Sequence, residues 1–240
     1  MQKEETAKKG KLYLLPSPIS GIYVYDALPL YNREVMQSID YFIVENVRTA
    51  RRFLSAAEIG RPIDSLTFAE LNEHTPAQDI PALLEPVLKG VSAGIISEAG
   101  VPGVADPGAE IVALAHSRDI EVVPLVGPSS ILLALMASGL NGQSFAFNGY
   151  LPVKQPDRGR AIKFYEKRAQ TENQSQIFIE APYRNARLFD DILASCSPAT
   201  RLTVAADILA PGQFIRTLAV AEWRKQKPDI NKRPAIFIIL

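Results

Sequence analysis

Short runs of strand-forming residues alternate with helix-forming stretches through the first half of the chain, and this alternation restricts the fold more than any other feature. Residues 11–15, 41–44, 65–68, 92–97 and 120–126 are rich in β-branched, aromatic or aliphatic side chains, and each run is followed by a turn signal. Between two of them, Asp106-Pro107 offers an N-cap with proline at the first helical position, and Ile111, Val112, Leu114 and Ala115 supply an apolar face. Pro128 opens a further helix through Met136, which Gly139 can end in a left-handed cap. Leu83, Leu84, Val87 and Leu88 form another stripe, with Pro81 and Pro86 delaying its start or kinking it. Five strands alternating with helices predict a mostly parallel sheet with helices on both faces.

Beyond residue 126 the pattern changes. Residues 145–150 form a strand, 152–159 a polar loop and 162–169 a helix. Strands follow at 176–179, 201–206, 214–218 and 235–240, the middle pair adjacent enough for a hairpin around Pro211-Gly212. The expected organisation is therefore two α/β domains, residues 1–127 and 128–240, and 240 residues suffice for two small cores.

Composition sets the environment. The longest apolar runs, such as residues 131–137, fall well short of the roughly 18 residues that cross a bilayer, so no membrane span is expected. The first ten residues carry both signs of charge and no apolar segment, and read as a short disordered lead-in rather than a signal peptide. Cys196 is the only cysteine and has no internal partner, which fits a reducing cytoplasm. With two histidines, His74 and His116, there is no Cys/His cluster of zinc spacing, and no metal is expected. Phosphate-loop, dinucleotide-fingerprint and nucleophile-elbow motifs are also absent. Net charge is zero but unevenly spread, with six positive residues (Lys154, Arg158, Arg160, Lys163, Lys167 and Arg168) in one short stretch. These side chains offer phosphate contacts, although a solvated helix face is the plainer reading.

The strongest local signal is the glycine- and proline-rich segment 97–108, SEAGVPGVADPG, between a strand and a helix. In an open α/β sheet, ligands bind beyond the carboxyl ends of the strands, where glycines let backbone groups approach them. A tight crossover alone would also use these glycines. Gly127-Pro128-Ser129-Ser130 sits at a helix N-terminus, where free N–H groups and hydroxyls receive a carboxylate or simply cap the helix.

In order along the chain, these segments resemble the tetrapyrrole (corrin/porphyrin) methylase superfamily and, within it, the small-subunit ribosomal RNA methyltransferase I group. Gly10-Lys11-Leu12-Tyr13 with Pro18-Ile19 is similar to that group's opening strand and T-P-I-G-N turn. Glu45, Arg48, Arg51 and Arg52 stand where it has E-D-T-R-x-T-R-R, and residues 70–73 resemble its H-E-H-N-E. Segment 97–108 is similar to S-D-A-G-T-P-x-x-S-D-P-G, Gly127-Pro128-Ser129 to P-G-P-S, and residues 180–184 to E-S-P-H-R. Departures include Ser17 and Ser20 in the first turn, Glu98 and Val101 in the long loop, and Ala206-Asp207-Ile208-Leu209 in place of R-E-L-T.

The resemblance implies S-adenosylmethionine as cofactor, held in a cleft between the two domains, a ribose 2′-hydroxyl of small-subunit ribosomal RNA as acceptor, and a homodimer. It places the cofactor on Pro18, Ile19, Ser97, Glu98, Gly100, Val101, Pro102, Ser129, Ser130, Ala181 and Pro234. A hydroxyl acceptor must lose its proton, which calls for a general base. Glu45 and Glu70 follow strands of the same half-sheet and are the candidate base or orienting groups, with Arg48, Asn72, Arg158, Arg160 and Lys163 holding substrate. An ordinary Glu45–Arg48 ion pair at a helix start is the alternative. A porphyrin-like or other small acceptor, and a non-catalytic cofactor- or RNA-binding module, also remain open at this point.

Overall fold

The computed structural model describes residues 8–240; residues 1–7, most of the polar lead-in, lie outside the described residues. The chain divides between Ser129 and Ser130 into two compact units.

The first unit holds five parallel strands, β1 (Leu12–Leu15), β2 (Tyr41–Val44), β3 (Thr67–Glu70), β4 (Ala93–Ile96) and β5 (Val122–Pro124), in the order β3-β2-β4-β1-β5. Strands β2 and β4 are buried throughout, as expected of a parallel sheet covered on both faces. The two-residue period of β2 shows how. Phe42 and Val44 enter one core with Val35 and Met36 of α1 (Leu30–Gln37) and Leu54 of α2 (Val47–Ala56). Tyr41 and Ile43 enter the other, with Val87 of α3 (Glu85–Leu88) and Ile111 and Ala115 of α4 (Gly108–Ser117). Gly94 in β4 permits this packing, because a Cβ there would stand 2.5 Å from Leu15 Cδ1.

In the second unit the sheet order is β6-β7-β10-β8-β9, from β6 (Phe145–Tyr150), β7 (Ser175–Ile179), β8 (Arg201–Ala206), β9 (Phe214–Ala219) and β10 (Ala235–Ile239). Only β6 and β7 pair in parallel; β8 and β9 form the expected antiparallel hairpin. Helix α5 (Ser130–Ser138) packs on β9 and β10, and Thr217 Oγ1 donates to Ser138 O at 2.7 Å. The other face carries α6 (Asp157–Glu172), α7 (Asn185–Ser195) and α8 (Val220–Trp223), whose Ile162, Phe189 and Trp223 meet Phe178 and Phe237.

Two departures from the expected boundaries matter for the site. Strand β3 starts and ends two residues late, because Ser65 N–H is drawn into a turn on Pro62 O, so Glu70 is the last residue of the strand rather than a loop residue after it. Helix α6 begins at Asp157, directly after Pro156, five residues ahead of the expected start, so Arg158 belongs to its first turn and not to the 152–159 loop, and Arg160 joins the helix too.

Candidate active site

All five strands of the first sheet point the same way, so the segments leaving them gather along one edge. The segment after β1 and the long loop after β4 clasp each other through their main chains. Ser17 N–H donates to Gly100 O at 2.9 Å, Gly100 N–H donates to Ser17 O at 3.1 Å, and Ser17 Oγ donates to Ser97 O. Gly100 has φ +81°, and a Cβ there would lie 3.3 Å from both Ile19 Cγ2 and Pro128 O. Gly127 lets the segment after β5 come in beside them, since its Cβ would overlap Pro16. The structure thus brings Pro18, Ile19, Ser97, Gly100, Val101 and Pro102 to one place, with Pro128 and its neighbour Ser129 against them.

Asp106 shapes the far end of the loop. Its Oδ1 accepts from both Gly103 N–H and Gly108 N–H at 2.8 Å, closing the turn ahead of α4, where Pro107 rather than Asp106 takes the N-cap position. Burial raises its carboxyl above the ordinary value, against the pull of those two donors. Behind the loop, Glu45, Ser97 and Asp106 line a cavity of about 10 Å3. Small-molecule sites occupy roughly 300 Å3 or more.

Glu45 leaves β2 half-buried and its Oε2 accepts Glu98 N–H at 2.6 Å. Burial is the main cause that raises its carboxyl, the Asp106 and Glu98 carboxylates add to it, and the Glu98 N–H opposes them. Glu98 itself is exposed and accepts from Thr49 Oγ1 at 2.7 Å. Glu70 is in register with Val44, hence beside Glu45, but is exposed and accepts only a long 3.4 Å contact from Val47 N–H. Asn46, not Glu45, caps α2, accepting from Arg48 N–H and Thr49 N–H. No ion pair joins Glu45 to Arg48 among the described residues. Arg48 is exposed, and Asn72 is half-buried with its Oδ1 accepting His74 N–H.

The second unit has its own cluster of loops. The ends of β7 and β8 and the start of β10 share one edge, where Lys232 N–H donates to Pro182 O and Asn185 Nδ2 to Arg233 O. This brings Ala181 and Pro234 together. Arg233 ties in the third segment through Asp207 Oδ2 at 2.6 Å and Gly212 O. Asp207, Leu209 and Lys232 all hold positive φ here, conformations that cost free energy in non-glycine residues and persist only where their surroundings enforce them.

One expectation is overturned. Arg158 is fully buried, donating to Pro152 O, Val153 O and Asp191 Oδ2 (3.0 Å), with Glu180 Oε2 3.5 Å away. Its charge is neutralised inside the second unit, so it does not face a substrate phosphate. Arg160 pairs with Asp157 on the surface, and Lys163 is exposed. Sequence reasoning also passed over Thr49, Arg233 and the exposed Tyr150, which stand in no chemically distinctive motif, and over the exposed Tyr183, although it lies within the 180–184 segment.

No family model matches the chain. It is 31% identical over 245 residues to "Ribosomal RNA small subunit methyltransferase I" of Vibrio cholerae serotype O1, covering 100% of this chain and 80% of that protein. It is 29% identical to the protein of the same name from Escherichia coli O157:H7, covering 100% and 81%. Among solved structures, uroporphyrin-III C-methyltransferase of Thermus thermophilus complexed with S-adenyl homocysteine aligns with TM-score 0.58 at 16% identity, over 96% of this chain and 97% of that one.

Proposed function

Because the chain belongs to the ribosomal RNA small subunit methyltransferase I family, we propose that it methylates a ribose 2′-hydroxyl of small-subunit ribosomal RNA. It is an S-adenosylmethionine-dependent methyltransferase. The observation that carries the reading is the clasp of Ser17 and Gly100, which holds the 97–103 backbone at the carboxyl edge of a parallel sheet.

The residues fit the cofactor. A Cβ at Gly100 would press on Ile19 Cγ2 and Pro128 O at 3.3 Å, so glycine there lets the segments assigned to the cofactor close together. S-adenosylmethionine supplies, when bound, a methyl group already activated on a sulfonium. Pro18, Ile19, Ser97, Glu98, Gly100, Val101, Pro102 and Ser129 of the first unit are assigned to the cofactor, as are Ser130, Ala181 and Pro234 of the second. The chain's remaining tasks are to orient the acceptor, which can lower the barrier by roughly 7–11 kcal/mol, and to remove its proton.

Glu45 suits proton removal better than Glu70. It is half-buried with a raised carboxyl, and the hydrogen bond to Glu98 N–H fixes one oxygen while the other remains available. Arg48, Asn72, Arg160 and Lys163 are assigned to the RNA. The same family membership supports a cytoplasmic homodimer, which light scattering would test.

Incubation of the protein with methyl-labelled cofactor and unmodified small subunits should label the RNA, and the labelled linkage should resist alkaline hydrolysis. Label in a base, or label accepted only by a tetrapyrrole, would overturn the assignment.

A further inference from the structure

The buried charges of the second unit are costly to desolvate, and what they hold in place is an exposed aromatic surface. Glu180 Oε1 accepts from Arg184 Nε at 2.9 Å and Nη2 at 2.7 Å, while the Glu180 carboxylate is itself 1% exposed beside Arg158. The third guanidinium nitrogen, Nη1, donates to Tyr183 Oη at 2.9 Å, and Arg184 Cζ stands 5.0 Å from the centre of the Tyr183 ring. All three guanidinium nitrogens are thus engaged. What Arg184 retains for a ligand is a flat cationic surface joined to an aromatic ring.

Tyr183 is 67% exposed and Tyr150 is 63% exposed, unusually open for rings of this size. Tyr150 ends β6 in register with Ile179, just ahead of the turn that carries Tyr183. A bulge between Phe147 and Tyr150, with Gly149 at φ +64°, re-aims it at the strand end. Lys154 and Lys163 follow on the adjoining loop and helix, exposed and without an acidic partner among the described residues.

We propose that Tyr150, Tyr183 and Arg184 form a stacking platform for unpaired bases of the RNA acceptor. This rests on the RNA reading above and specifies how that RNA is gripped. Aromatic rings and guanidinium planes are how proteins hold unstacked bases, and flanking lysines suit the phosphates between them. The buried Arg158–Glu180–Arg184 chain keeps the platform rigid before RNA arrives, so little ordering cost falls on binding.

The test compares the wild-type chain with Tyr150→Ala, Tyr183→Ala and the corresponding phenylalanine variants. The probes are a labelled single-stranded RNA of mixed sequence, a duplex of equal length, and S-adenosylmethionine. Each alanine variant should bind the single strand roughly tenfold more weakly, and phenylalanine should restore most of the loss. The salt slope should not change, because neither ring neutralises a phosphate, and duplex and cofactor affinities should hold. A flattened slope, or equal loss on the duplex, would show that the tyrosines serve the backbone and overturn the platform. Loss of cofactor affinity with unchanged RNA binding would assign the rings to the adenine of the cofactor and also overturn it. Variants that bind RNA like the wild type, while the wild type methylates small subunits, would refute the platform and leave the proposed function standing. A wild type that neither binds nor methylates RNA would remove both.

Discussion

Arg158 offers the sharpest quantitative test, because its sequence context and its structure assign it opposite roles. As a surface cation its loss would shift stability by no more than about 0.5 kcal/mol. In the structure it is buried between Glu180, 1% exposed, and Asp191, 19% exposed, and it also ties down two loop carbonyls. Replacing it with methionine fills much of the volume but strands the Glu180 charge with Arg184 alone. Breaking a buried pair from one side costs about 3–5 kcal/mol. For a chain of 240 residues each kcal/mol moves Tm by roughly 2–4 °C, so Arg158→Met should melt about 6–20 °C below wild type. Adding Glu180→Gln, which removes the stranded charge and keeps an acceptor for Arg184, should recover part of the loss. Calorimetric melting of the three proteins is sufficient. A drop under about 2 °C for the single variant would match a surface residue and refute the burial argument.

Gly100→Ala should weaken S-adenosylmethionine binding about tenfold by calorimetry, since an L side chain at φ +81° carries roughly 1–2 kcal/mol of strain and meets Ile19 and Pro128 at 3.3 Å; unchanged affinity would remove the loop from the site. Glu45→Gln keeps an acceptor for Glu98 N–H, and if Glu45 is the base it should cut kcat by about 10²–10⁴, whereas intact turnover would leave it only an orienting role. Its stability has a definite pH sign. A carboxyl raised on folding stabilises fully below its unfolded value, near 4.5, and loses that contribution as pH rises through the folded value. The glutamine variant should therefore gain Tm relative to wild type at neutral pH, and the gap should close in acid. Arg160→Ala with Lys163→Ala should flatten the salt dependence of RNA binding by about one unit for each phosphate the protein no longer neutralises, and an identical slope would return both to an ordinary solvated face.

The first sheet was legible because parallel strands need both faces apolar, and residues 41–44 and 93–96 show that directly. The long loop was legible for a different reason, its density of glycine and proline. Side-chain fate was harder to read. Arg158 and Arg160 sit two residues apart in one basic stretch, yet one is buried and the other exposed. What separates them is the position of Asp191 and Glu180, which are 33 and 22 residues away in the chain. Similarly, Glu45 reads as free for chemistry until the loop after β4 folds across and places Glu98 N–H on one of its oxygens.

The clasp between Ser17 and Gly100 also bears on how far the sequence of this site can drift. Both of its reciprocal hydrogen bonds run between main-chain atoms, so no side-chain substitution at position 17 can delete either of them unless it removes the N–H, as proline would. The serine in the first turn, Glu98 and Val101 are departures of the kind such a joint tolerates, for they alter the groups hung on the loops and leave the joint itself intact. Position 100 lacks that latitude. The loop after β4 is thus encoded by a backbone conformation rather than by a set of letters, and it can keep its shape after much of its motif has become hard to recognise.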